Sequence, residues 1–216
     1  MNESGTDFHI RTDNPRTDRS LDLSSSPQGR PLVVQMHGEP GSGKSTLARA
    51  IGPRIGAVVL DKDVIKAALL RTGIAEREAA PGAYEVFFAQ AHALTAGGHS
   101  IILDNPVYWE SVERHWLEIT REAGSPPLLI ECVCPDREVL LRRLANREIV
   151  ESQPRDPLDL VHHPGSKPTA FRPRLTLDTT RPFDDLIAEV LTYVEAALRP
   201  PQTPTPNDQR LATTTP

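Results

Sequence analysis

Long apolar runs are missing from this 216-residue chain, and no stretch approaches the roughly 20 residues that a membrane-spanning helix needs. The first residues, MNESGTDFHIRTDNPRTDRS, lack an apolar core, so no secretory signal is expected there. Cysteine is nearly absent: Cys132 and Cys134 are the two present. Two positions apart on an extended strand they point to the same face, which is poor geometry for a disulfide, and they have too few partners for a metal site. Reduced core thiols and a cytoplasmic location are expected. A basic excess is lacking too. Lys and Arg number 24 against 29 Asp and Glu, a net charge of −5, which speaks against a protein whose main work is gripping nucleic acid.

Proline is the residue in surplus, at 21, and it gathers at the ends and in one internal stretch. Residues 1 to about 30 are polar without periodicity, and the tail from Arg199, RPPQTPTPNDQRLATTTP, is rich in Pro and Thr. Neither segment can bury enough apolar area to offset the entropy of ordering, so both are predicted to be disordered tails around one folded domain, residues 31–198. Within that domain, short continuous apolar runs alternate with amphipathic ones. Strands are predicted at Pro31 to His37, Ala57 to Leu60, Ile101 to Leu103, Leu128 to Val133 and Arg174 to Leu177. Helices are predicted at Lys44 to Ile51, Val64 to Arg71, Ala83 to Ala96, Trp109 to Ala123, Arg137 to Ile149 and Phe183 to Leu198. Such alternation points to an α/β fold: a five-stranded parallel sheet covered on both faces, in three layers. Ligands of such sheets bind beyond the carboxyl ends of the strands, here just after His37, Leu60, Leu103 and Leu177.

The first of those places carries Gly38-Glu39-Pro40-Gly41-Ser42-Gly43-Lys44-Ser45, followed by Thr46. Every fixed position of the phosphate-binding pattern G-x-x-x-x-G-K-[ST] is filled, between a strand and a helix as the mechanism requires. Glycines let the backbone wrap a phosphate with its amides turned inward, and the following helix adds its positive end. Lys44 can reach the β- and γ-phosphates, and the Ser45 hydroxyl can ligate Mg²⁺.

The stretches HGEPGSGKSTLARAI, VVLDKDVIKAAL, SIILDNP and LLRRLANRE together resemble the small P-loop kinases, among them polynucleotide 5′-kinases, chloramphenicol phosphotransferase, zeta-toxin kinases and gluconate kinase. The resemblance spans roughly Leu32 to Leu198 and implies a nucleoside-kinase-like P-loop fold. It also implies roles. An Asp past the second strand would accept the acceptor's proton; Asp63, with Lys66 three positions on, matches that pattern, and Asp61 is the alternative. The competing reading is that one of the pair merely caps the helix. Asp104, ending the third strand, would position Mg²⁺. Asn105 stands where motor-type ATPases place a water-activating Glu, and no guanine-reading Asn-Lys-x-Asp occurs, so transfer from ATP to an organic acceptor is implied rather than hydrolysis of GTP.

Arg143 and Arg147, one helical turn apart, match the R-x-x-x-R of lid-bearing kinases and would close over the γ-phosphate; the alternative is a solvated helix face shared with Arg142. The Pro-rich segment 151–173 fits a lid by position, with His162 and His163 read as loop surface. Tyr84, Phe88 and His92 fall at i, i+4 and i+8 and read as core packing beside Phe87; the resemblance adds a share in the acceptor pocket with Pro106, Tyr108 and Trp109. The expectation is an ATP- and Mg²⁺-dependent phosphotransferase acting on a hydroxyl of a small molecule such as a sugar, nucleoside, amino alcohol or antibiotic. Polynucleotide end-kinases, nucleotide-sugar kinases and a non-catalytic ATP-binding regulator are the alternatives.

Overall fold

The computed structural model describes residues 30–146, 171 and 173–198. The expected disordered tails, and the segment 151–173 apart from Phe171 and Pro173, lie outside those residues. Five strands form one parallel sheet: β1 (Val33–His37), β2 (Ala57–Asp61), β3 (Ser100–Asp104), β4 (Leu128–Val133) and β5 (Leu175–Asp178), in the order β2-β3-β1-β4-β5. The helices are α1 (Lys44–Ile51), α2 (Lys62–Arg71), α3 (Glu76–Ala96), α4 (Glu110–Glu122), α5 (Arg137–Asn146) and α6 (Phe183–Leu198).

The period-two alternation of side chains decides how the layers are filled. Val34 and Met36 face α1 and α6, packing with Leu47, Ile51, Leu186, Val190 and Val194. Val33 faces the other way, into a core built from Phe87, Phe88 and Ala91 of α3 and Val112, Trp116 and Ile119 of α4. With both faces of β1 buried, its run VVQMH has no solvent side, which is why it reads as continuous rather than alternating. Phe171 closes this second layer edge-on to Trp116, with ring centroids 4.8 Å apart.

Two helices begin at least two residues before the expected position. α3 begins at Glu76, not Ala83, and runs through Pro81. Proline removes the hydrogen bond to the carbonyl four residues earlier, but residues 74–78 are exposed, so that carbonyl is not shut away from solvent. α2 begins at Lys62 rather than Val64, because Asp61 caps it: its Oδ1 accepts from the Asp63 amide at 3.0 Å and the Val64 amide at 3.4 Å.

At the carboxyl end of β1 the chain must turn sharply between neighbours. Gly38 has φ +142, and a Cβ there would sit 2.4 Å from the Cys132 carbonyl oxygen and 2.6 Å from Ser42 Oγ. The carbonyl belongs to β4 and cannot move without breaking the sheet. Gly38→Ala is therefore expected to destabilise the fold by about 3 kcal/mol, the scale of combined overpacking and backbone strain, read as a lowered midpoint in urea unfolding.

Candidate active site

The carboxyl ends of β1, β2 and β3 meet at the phosphate loop. Gly43 caps α1 in the left-handed region at φ 88, without a side-chain cap and with no acidic residue in the first turn. The helix thus presents its amides unfilled by its own side chains, as an anion site requires. Ser42 N–H donates to the Glu39 carbonyl at 3.0 Å and Leu47 N–H to the Gly43 carbonyl at 3.0 Å, which fixes the loop on either side of Gly43. Pro40, Gly41, Gly43, Lys44, Ser45 and Thr46 line a cleft of about 980 Å³. Gly38 and Ser42 are buried behind the loop, while the Glu39 side chain is exposed to solvent.

The acidic residues divide the work. Asp61 and Asp104 are register partners at the ends of neighbouring strands. Asp61 is committed to structure: besides capping α2 it takes a 3.0 Å hydrogen bond from Arg49. Asp63 lines the cleft on the first turn of α2, held by an ion pair with Lys62. Asp104 is buried, at 3% exposure, and neither carboxylate oxygen has a hydrogen-bond partner. Burial pushes its carboxyl above the ordinary range, and the nearby Lys44 ammonium and Ser45 hydroxyl pull the other way. A buried carboxylate with two orphaned oxygens beside a serine hydroxyl fits a divalent cation. Among the described residues no group of three or more His, Cys, Asp or Glu could hold a metal by itself. The fit is therefore to Mg²⁺ carried with phosphate oxygens, the ion that takes one or two protein oxygens and leaves the rest to its nucleotide.

On the opposite wall α5 brings Arg143, whose guanidinium donates to Thr179 Oγ1 at 2.9 Å and to its carbonyl at 2.7 Å, beside Gly43. Arg142, exposed on α5, also lines the cleft, with Asn146, Thr179, Phe183 and Leu186. Arg147, like His162 and His163, lies outside the described residues. Thr179 follows β5, where the strand-end rule directs attention, but its bond to Arg143 spans 36 positions and left no sequence signal.

The loop after β3 is fastened from beneath. Asn105 is buried; its carbonyl accepts from Gln35 Nε2 at 2.8 Å and its Oδ1 at 3.1 Å, so it anchors the loop and does not line the cleft. Val107 N–H donates to His37 Nδ1 at 3.1 Å, and burial lowers the His37 pKa, keeping the imidazole neutral as that bond demands. These contacts carry Pro106, Tyr108 and Trp109 onto the cleft wall, joined by Tyr84. Burial pushes the Tyr108 hydroxyl up to about 12, so it remains a proton donor, and it reaches the Gly38 carbonyl at 3.4 Å. Phe87 and Phe88 pack in the core, and His92 sits near the surface against Glu122 at 3.0 Å.

Solved structures share this fold. The chain is similar to a Chloroflexus aurantiacus protein described as a candidate kinase, with TM-score 0.63 and 23% identity, covering 78% of this chain and 98% of that one. A Mycobacterium tuberculosis APS kinase in complex with AMPPNP and APS gives TM-score 0.54 and 22% identity over 77% and 98% of the two chains. A sugar kinase from Janibacter sp. HTCC2649 gives 0.53 and 20% over 78% and 96%. Among curated proteins, Rv2004c of M. tuberculosis is uncharacterized and is 34% identical over 79 residues, 31% of this chain and 16% of the relative. The chain thus spans a small part of the length of the curated relatives it matches. A family model described as an AAA domain matches residues 33–161, from β1 through the phosphate loop and Asp104 to beyond α5. With that span, the strand order and the phosphate loop in agreement, the chain belongs to the AAA_33 family of AAA domains and has the small P-loop kinase fold.

Proposed function

We propose that the protein transfers the γ-phosphoryl group of ATP to a hydroxyl of a small molecule. The observation that carries this reading is a single cleft whose wall holds both the phosphate loop and Asp63, a carboxylate left over once Asp61 has capped α2. The triphosphate lies along Gly41–Thr46, with Lys44 at the β- and γ-phosphates. The base end of the nucleotide extends past Gly43 toward Arg142, Asn146, Thr179, Phe183 and Leu186. Bound Mg²⁺ would be held by Ser45 and Asp104 and would supply charge neutralisation at the transferring group. Asp63 orients the acceptor hydroxyl and takes its proton as the oxygen attacks the γ-phosphorus; ADP leaves with the broken bond's electron pair. Arg143, braced by Thr179, offsets charge spread over the transferring oxygens. Positioning and electrostatics do the catalytic work. Arg147, outside the described residues, shares that role in this reading, and cytoplasmic ATP supplies the donor.

The test is a mass measurement: with Mg·ATP and a panel of hydroxylated compounds, one product gains a phosphoryl group while ATP becomes ADP. Heat release on Mg·ATP addition without any phosphorylated product would leave a nucleotide-binding regulator instead. Phe183, two-fifths exposed on the nucleotide side of the cleft, gives a check on the proposed orientation. Phe183→Ala is expected to raise the KM for ATP by about tenfold, the loss of one aromatic contact, and to leave the acceptor KM unchanged.

A further inference from the structure

The two halves of the cleft differ in how their charges are balanced. Among the described residues the wall on the nucleotide side carries Lys44, Arg142 and Arg143 and no carboxylate, apart from Asp104 buried beneath. On the side of α2 and α3 the cations are matched within the wall itself. Arg49 pairs with Asp61 at 3.0 Å, Lys62 with Asp63, and Lys66 with Glu76, and all six line the cleft. The Lys62 ammonium also stands 5.5 Å from the Tyr84 ring centre. An anionic acceptor entering here meets a carboxylate beside every cation, and a cationic one meets the reverse. Among the described residues of this half neither finds an uncompensated charge to offset its own desolvation.

The remaining surface of this half is apolar and aromatic. Trp109 is 40% exposed and Val64 54%, and both line the cleft with Ala80 and Pro106. Trp109 is held edge-on by Tyr84, at 6.3 Å between centroids, and by Tyr108, at 6.0 Å. An indole held edge-on by two rings and lining the cleft offers a flat seat for a ring.

Resting on the kinase reading above, we infer that the acceptor is an uncharged, hydroxyl-bearing ring compound, its ring against Trp109 and its hydroxyl at Asp63. Phosphorylated or carboxylated acceptors, including polynucleotide ends and nucleotide sugars, are disfavoured. The paired carboxylates act as a filter: Glu76 balances Lys66, and removing it admits negative charge.

The experiment uses matched probes with Mg·ATP: uridine against uridine 3′-monophosphate, and phenyl β-D-glucoside against glucose 1-phosphate. ATP binding is followed separately by calorimetry. The uncharged member of at least one pair is expected to show kcat/KM at least about tenfold above its anionic partner, the discrimination of a little over one unpaired charge contact. Glu76→Gln is expected to narrow that ratio by about tenfold, and Trp109→Ala to raise the acceptor KM about tenfold without changing the KM for ATP. Preference for the anionic members, an unchanged ratio in Glu76→Gln, or no transfer to any uncharged member despite bound Mg·ATP each overturns the inference while leaving nucleotide binding in place. Absence of Mg·ATP binding overturns the kinase reading and the inference together.

Discussion

Asp63→Asn is expected to lower kcat by about a thousandfold, the usual worth of a positioned general base, while the affinity for Mg·ATP stays within about twofold. The substitution keeps the shape of the side chain and removes its charge and its ability to take a proton. Asp63 sits on the first turn of α2 with its carboxylate in the cleft, and the helix cap it might have supplied is already provided by Asp61. The loss therefore falls on transfer and not on folding. The Lys62–Asp63 pair is part exposed, so its removal costs under about 1 kcal/mol of stability, and the variant should unfold at nearly the wild-type temperature. The parallel substitution Asp61→Asn gives the opposite pattern: it weakens a cap and the bond to Arg49, and its effect is read in stability. Equal kcat for wild type and Asp63→Asn would remove this residue from the mechanism.

Asp104→Asn should raise the melting temperature of the ligand-free protein at pH 7 and abolish most of the further rise that Mg·ATP confers. The first effect follows from the direction of its pKa. In the unfolded chain the carboxyl titrates in the ordinary range; in the fold, burial makes it hold its proton to higher pH. Folding thus favours the protonated form. The cost of burying the charge is absent below the unfolded pKa, grows as pH rises, and is fully present above the folded pKa. An amide cannot ionise, so the gain from substitution is expected to be about 1 kcal/mol, or about 3 °C, at neutral pH and to vanish in acid. The second effect has the opposite sign. For wild type, Mg·ATP at a hundred times its dissociation constant adds about 2.7 kcal/mol. Without the anionic oxygens at Asp104 the cation loses its protein carboxylate, and the stabilisation by Mg·ATP should fall toward that of ATP alone. Melting curves at pH 5 and pH 7, with and without Mg·ATP, separate the two effects. A ligand-free variant less stable than wild type at pH 7 would show that the carboxylate is held by contacts stronger than its burial.

The phosphate loop was legible because everything it needs is local. Gly38 through Thr46 contain the left-handed positions, the turn and the start of α1, so nine consecutive residues carry the geometry. The parallel sheet was legible for a similar reason: strands buried on both faces must be apolar at successive positions, and each helix between them is long enough to make a crossover. The start of α3 was missed because Pro81 reads as a break, and only its exposed setting makes it tolerable. Asp61 and Asp63 could not be separated in the sequence, since both stand at the β2–α2 junction. What separates them is Arg49, twelve positions away, which together with the α2 amides occupies both oxygens of Asp61. Asn105 was legible as the absence of a glutamate, yet its burial against Gln35 comes from two strands meeting seventy positions apart.

Residue type at neighbouring positions is enough to specify a doubly covered parallel sheet with a phosphate-loop motif after its first strand. Which aspartate lines the cleft without capping α2, the bracing of Arg143 by Thr179 and the meeting of Lys66 with Glu76 across two helices come from the packed fold alone. Those are pairings between distant parts of the chain, and a side chain's partner is set by where the backbone carries it, which no local pattern encodes.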